Sequence, residues 1–293
     1  MALALVAVYI FWGSTANAIK IAVASVPPWW LGGVRFGCAG VLMWTWCRVR
    51  GTPLPSARDW RGAAITGIVL LVLGNGVFMW TEQYLPSGLG ALFFALSPLW
   101  MAILTFAFFR ERLSRLGAVG VGLGLAGMVY LYSPTGAQHL PLVPTVLGIF
   151  TSFAWAAGSV VQRRLRGGDV VQTSAMQMLA ASATLLVMAL VSREPLATHD
   201  FTPAALGAIA YLVAFGSIAG FSAFVWIMNN VPTTLASTYS YVNPIVSLGI
   251  GIGFMHEAYS SQLALGAASI VAGVAVMAVA PKPRVVSAAE ARA

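Results

Sequence analysis

The sequence predicts an all-α membrane protein in which ten transmembrane helices form two five-helix repeats of inverted topology (5+5). Three observations predict it. The 293 residues are 59% hydrophobic and only 8% charged, whereas soluble domains run near 45–50% apolar and about 25% charged. The basic residues cluster on alternate connections between apolar runs, the pattern that orients a polytopic membrane protein. The second half repeats the first at Pro, Trp, Gly and Glu positions. The composition excludes a disordered chain and a soluble two-domain protein, whose surface needs more charge. A net charge of +8 suits nucleic acid only as a basic patch on a soluble module, so no nucleic-acid partner is expected.

Apolar runs cover residues 2–24, 29–47, 62–83, 86–109, 114–133, 144–165, 170–191, 204–228, 232–255 and 260–280. Each is near the length of about 20 residues that crosses a bilayer. The first run carries Ser14-Thr15-Ala16-Asn17-Ala18, which resembles a signal-peptide cleavage site. It has no basic leader and stays apolar to residue 24, so a retained span is expected. Turn-forming residues separate the runs, as at Ser25-Val26-Pro27-Pro28, Leu85-Pro86-Ser87, Gly167-Gly168-Asp169 and Asn230-Val231-Pro232. Cys38 and Cys47 lie too far apart along span 2 to bond each other. With the N-terminus in the cytoplasm, Arg48, Arg50, Arg58 and Arg61 fall inside. So do Arg110, Arg112 and Arg115, then Arg163, Arg164 and Arg166, then Lys282, Arg284 and Arg292 in the tail. Only Arg193 falls in an outer loop. The asymmetry places both termini in the cytoplasm. The divisions are 1–134, 142–281 and a basic tail, 282–293.

A displacement of 146 positions lays Gly74 on Gly220, Trp80 on Trp226 and Pro86 on Pro232. It also lays Pro98 on Pro244, Glu111 on Glu257 and Gly120 on Gly266, and a displacement of 143 lays Trp12 on Trp155. Five spans per copy is odd, so the second copy enters the membrane from the opposite side, a layout of many secondary transporters. It permits alternating access through a central cavity between the halves. A duplication that merely built a stable bundle, as in a channel or scaffold, is the plainer reading.

Charged residues within spans are costly in lipid and face a cavity or a partner. At a rise of about 1.5 Å per residue, Arg35 stands about 5 Å outward of the middle of span 2 and Lys20 about 10 Å outward in span 1. Arg35 suits a cavity that binds a carboxylate, or a structural bond to backbone carbonyls. Lys20 and Glu82 suit an outer vestibule, or snorkelling to the interface. Pro98 and Pro244 are the prolines that fall mid-span, each after a polar residue, Ser97 or Asn243. A freed carbonyl beside a small polar side chain is tolerated at membrane depth only where protein lines a site. These prolines are read as gating hinges, with Gly249, Gly251 and Gly253 loosening span 9, against static kinks as the alternative. The other cavity candidates at similar depth are Trp12, Asn17, Asn75, Trp100, Trp155, Ser159, Gln177 and Tyr239. Core packing is the bland reading of any single aromatic. The pairs Gly33/Gly37, Gly120/Gly124, Gly216/Gly220 and Gly249/Gly253 predict close helix approach. No Walker loop, HExxH or GxSxG occurs. His139, His199 and His256 lie in loops or near span ends. No enzyme activity, cofactor or metal is expected.

Trp12-Gly13-Ser14 with Asn17 and Lys20, Arg35-Phe36, and Pro98 followed by Arg110-Glu111-Arg112-Leu113-Ser114 and echoed at Pro244 and Glu257 together resemble EamA-type members of the drug/metabolite transporter superfamily. The likeness covers nearly the whole chain and is closest to the YddG-type bacterial amino-acid exporters. It departs at Ser97, where many members carry Glu, so no coupling ion is carried over. The resemblance implies a bacterial inner-membrane exporter of amino acids, aromatic ones among them, or of similar small metabolites, with its substrate in a central cavity. A drug or nucleotide-sugar carrier, and a membrane enzyme or scaffold without transport, stand as alternatives. The expected partners are a small-molecule substrate and the lipid bilayer.

Overall fold

The computed structural model describes residues 2–109, 111–112, 114–131, 140–164, 169–197, 200–221, 223, 227, 239–256, 260–280 and 284–285. Of the residues named above, Arg110, Leu113, His139, Arg166, Gly167, Gly168, His199, Trp226, Asn230, Val231, Pro232, Glu257, Lys282 and Arg292 lie outside that set. The described chain is almost wholly helical.

The first apolar run bends into α1 (Ala2–Gly13) and α2 (Thr15–Val23) at Ser14. Ser14 Oγ donates back to the Ile10 carbonyl at 2.6 Å, a bond that bends helices. Helix α3 (Pro28–Val49) starts on a proline at its first position, where the missing N–H costs nothing. It ends before Gly51, whose φ of 71° suits a residue without Cβ. Helix α4 (Ala57–Gly67) opens on a capping box of Ser56 and Asp59. It runs through a π-helical stretch, Ile68–Gly76, into α5 (Val77–Thr81).

Span 4 is two helices, α6 (Ser87–Phe94) and α7 (Ser97–Phe109). This corrects the expectation of one helix bent at its middle by Pro98. The chain breaks at Ala95–Leu96, and Pro98 stands in the first turn of α7, where no N–H partner is needed. Ser97 Oγ donates to the Phe94 carbonyl at 2.5 Å. Next come α8 (Arg115–Leu131), α9 (Leu142–Arg164) and α10 (Val170–Val191). Helix α11 (Pro203–Tyr211) continues into a second π-helical stretch, Leu212–Ala219. Helices α12 (Tyr239–Phe254) and α13 (Ser261–Val279) follow, and Pro244 lies inside α12. Uniformly apolar periodicity gave no sign of the π-helical stretches.

Among the described residues, four helical segments, Leu3–Val23, Ala57–Thr81, Leu142–Gln162 and Val170–Val191, are long and apolar enough to cross a membrane; shorter apolar helices accompany them. Large apolar side chains such as Leu3, Val49, Val191 and Phe254 stand exposed, a surface suited to lipid. Arg48 lies 4.6 Å from the centre of the Trp44 ring and Arg50 4.3 Å from that of Trp46, as interfacial anchors do.

Packing between the two halves of the chain is reciprocal. Helix α3 lies along α10, and α8 along α13. Helix α9 packs on Ile68–Gly76 and α7, while α1 packs on Leu212–Ala219 and α12. At the α8–α13 crossing a Cβ on Gly273 would lie 2.6 Å from the Gly120 carbonyl, and one on Gly127 2.9 Å from the Gly266 carbonyl. Gly33 and Gly37 likewise admit Leu186 and Ser182 of α10. Gly249 and Gly253 correct the expectation for their pair, since a Cβ added at either would meet nothing within 4 Å among the described residues. Glu111–Arg112, before α8, pairs antiparallel with Arg284–Val285, after α13. That puts these two connections on the same face of the bundle.

Candidate functional site

The residues expected to line one cavity separate into several places. Two of them, Trp12 and Arg35, meet at Gly216 and Ser217 in the second π-helical stretch. Such stretches are frequent at functional sites because the altered register displaces backbone groups from regular helical bonding. Trp12 Nε1–H, from α1, donates to the Gly216 carbonyl at 3.1 Å. Its ring meets Tyr239 of α12 edge-on at 5.5 Å. A Cβ on Gly220 would lie 2.6 Å from Trp12 Nε1, so only glycine lets the indole lie there.

Arg35 reaches the same point from α3. It is 4% exposed, and its Nε–H donates to Ser217 Oγ at 3.2 Å. A Cβ on Gly216 would lie 3.3 Å from Arg35 Nη2 and 3.6 Å from Thr15 Oγ1. Arg35 Nη1 is buried and has no hydrogen-bond partner among the described residues. An unpaired buried charge costs on the order of several kcal/mol, and the donors of a guanidinium match a carboxylate. Asn243 stands one turn beyond Tyr239 with a buried, unpartnered Oδ1. Its carbonyl lies 3.3 Å from where a Cβ on Gly13 would be.

A second aromatic cradle mirrors the first. Trp155 of α9 lies over Gly74, a Cβ on which would be 3.5 Å from Trp155 Cε3. Trp155 meets Phe94 at 5.2 Å. Asn75 is half-buried beside Gly74, and Ser159 Oγ donates to the Trp155 carbonyl at 2.8 Å. Among the described residues no arginine reaches this cradle.

The remaining candidates tie helices together. Asn17 Nδ2 donates to Ser87 Oγ at 2.8 Å and to the Ser247 carbonyl at 3.2 Å, and Ser247 Oγ donates to Asn17 Oδ1 at 3.2 Å. Gln177 Nε2 donates to Thr66 Oγ1 at 2.8 Å, and Trp100 Nε1–H to Ser152 Oγ at 3.0 Å. Ser97 is spent on its own helix break. Lys20 Nζ donates to the carbonyls of Glu82 and Leu85 at 2.6 and 2.7 Å. Glu82, expected at an open vestibule, is fully buried, and Gly90 provides the room for its carboxylate. Among the described residues no group of His, Cys, Asp and Glu has metal-site geometry.

Sequence reasoning missed Ser217, Gly216 and Gly220 as site residues. The two glycines were visible as a close-packing pair, and nothing marked Ser217.

The EamA-like transporter family profile matches this chain twice, over residues 1–133 and 143–279. The chain belongs to the EamA-like transporter family. It is 37% identical to the "Uncharacterized inner membrane transporter YedA" of Escherichia coli K12, over 90% of this chain and 86% of that one. It is 22% identical to the "Uncharacterized transporter YvbV" of Bacillus subtilis 168, over 94% and 90%. A solved crystal structure with 22% identity aligns with a TM-score of 0.68, covering 94% of this chain and 96% of that one, and shares the fold. Membership in this family makes the protein a transporter of the membrane, with lipid and a small solute as its partners.

Proposed function

We propose that this EamA-family protein is a ten-span inner-membrane carrier of two inverted five-helix repeats. It exports amino acids or similar carboxylate-bearing metabolites by alternating access, and both termini face the cytoplasm. The observation that carries the reading is Arg35, a buried cation with an unpartnered Nη1 at a seam of residues from both halves. The two family matches, the reciprocal packing and the pairing of 111–112 with 284–285 support the repeat and the common side of the last connection and the tail. The clustering of arginines supports their cytoplasmic side.

In this reading Trp12, Arg35, Tyr239 and Asn243 bind substrate, and Trp155 with Asn75 lines the mirrored wall. The helix break before Pro98 and the proline inside α12 serve as hinges. Lys20 and Glu82 lie at the outer end, where Asn17 ties α2 to α6 and α12. Purified protein in liposomes is expected to move radiolabelled amino acids down a gradient, and Arg35→Ala to abolish the flux at unchanged protein level. Absence of flux across a broad solute panel would sink the carrier reading.

A further inference from the structure

The two aromatic cradles are alike, but among the described residues charge is present at one of them only. Trp12, Gly220 and Tyr239 form the first, Trp155, Gly74 and Phe94 the second. Gly216 ties the first to Arg35: its carbonyl takes the indole N–H, and the guanidinium lies against its Cα. A ligand held there meets a cation at one end and an aromatic wall beside it.

Among the described residues no countercharge accompanies the cation. The described acidic residues, Asp59, Glu82, Glu111, Asp169, Glu194 and Asp200, stand at helix termini or in connections. Glu82, at the end of α5, packs under Gly90 beside the Lys20 cluster. An ammonium group brought to Arg35 would place like charge beside like in a site removed from water, where screening is weak. A carboxylate instead takes the free Nη1 donor in a charge-assisted hydrogen bond.

We infer that the site selects apolar or aromatic monocarboxylates by the carboxylate alone, so that a 2-amino group is dispensable and 2-oxo and 2-hydroxy acids are ligands at least equal to the amino acids. The inference rests on the carrier reading for its biological setting and on the Arg35–Gly216–Trp12 geometry for its chemistry. It separates this site from one built for amino acids as zwitterions, which would supply an acceptor for the ammonium group.

The test uses purified full-length protein and four probes of one skeleton: phenylalanine, phenylpyruvate, 3-phenyllactate and phenethylamine. Binding is read from intrinsic tryptophan fluorescence and from the thermal midpoint. Flux is read in liposomes by counterflow against radiolabelled phenylalanine. Phenylpyruvate and 3-phenyllactate are expected to bind at least as tightly as phenylalanine, and phenethylamine on the order of 10-fold or more weakly than phenylpyruvate. Arg35→Gln is expected to weaken the acids on the order of 10- to 100-fold while leaving phenethylamine no weaker, since the repelling charge is gone. Arg35→Lys, which keeps the charge, serves if the glutamine variant does not fold. Phenethylamine binding as tightly as phenylpyruvate, or acids without the amino group failing to bind, overturns the inference. Flux of phenethylamine alone would leave a carrier with different recognition. Binding of the acids without flux would leave the recognition and remove the carrier reading.

Discussion

Gly220 and Gly74 occupy matching places in the two halves, and the structure predicts opposite responses to the same substitution. A Cβ at Gly220 would lie 2.6 Å from Trp12 Nε1 and 2.7 Å from the Phe215 carbonyl. Both are closer than side chains tolerate, and the carbonyl cannot swing away as a flexible side chain would. Gly220→Ala therefore forces the indole off the Gly216 carbonyl. Overpacking costs about 1–3 kcal/mol, and a buried indole N–H left unpaired costs about 1–3 kcal/mol more. The helical preference for alanine over glycine returns about 1 kcal/mol. The net expectation is a destabilisation of about 1–5 kcal/mol. At Gly74 the nearest atom would be 3.5 Å away, an ordinary contact. Gly74→Ala is then neutral, or stabilising by up to about 1 kcal/mol. Thermal unfolding in detergent, followed by tryptophan fluorescence, compares the variants, and liposome flux shows whether Trp12 placement matters for transport. Equal midpoints, or a lower midpoint for Gly74→Ala than for Gly220→Ala, would refute the account of the Trp12 cradle.

Other perturbations separate the remaining roles. Asn17→Ala removes three hydrogen bonds among α2, α6 and α12. At roughly 0.6 kcal/mol per membrane hydrogen bond it is expected to cost about 2 kcal/mol. It should also speed maleimide labelling of Ala22→Cys, a buried position on α2, once Cys38 and Cys47 are replaced; unchanged labelling argues against Asn17 as the tie that holds α2 in place. Pro244→Ala restores a helical N–H inside α12 and is expected to shift cysteine accessibility between the two faces. Pro98→Ala, in a first turn, is expected to shift it far less; the reverse order would remove the assignment of α12 as the bending helix. One carboxyl in a connection should titrate with a visible effect on the fold. Burial raises Glu194 above its ordinary 4.5 against the bond from the Trp29 N–H, so its charged form weighs on the fold at higher pH and is relieved as pH falls through the raised value. Amide exchange at Trp29 reads this, and exchange that does not slow as pH falls through that value would contradict it.

Much of the fold was legible in the residues. Pro28, Gly51, Ser56, Asp169 and Thr202 stand at the helix boundaries where their backbone chemistry places them. Arg35 was legible as a costly charge at depth, and Trp12 as the repeat partner of Trp155. Their meeting at Gly216 was not. Nor was the division of Asn17, Gln177, Ser97 and Trp100 among separate interhelical bonds, because a polar side chain at membrane depth satisfies itself equally well in a cavity or against a neighbouring helix.

By itself the sequence determined that this chain is a helical membrane protein built of two similar halves. The bilayer imposes length, apolarity and charge placement on each segment locally, so those constraints are written in consecutive residues. Tertiary structure alone decided which face of each helix meets which partner, where the π-helical stretches lie, and that one cradle holds a cation while its mirror does not. Helices apolar on every side carry no periodic signal of their facing. The deciding contacts, from Trp12 to Gly216 and from Arg35 to Ser217, join residues far apart in the chain, where only packing brings them together.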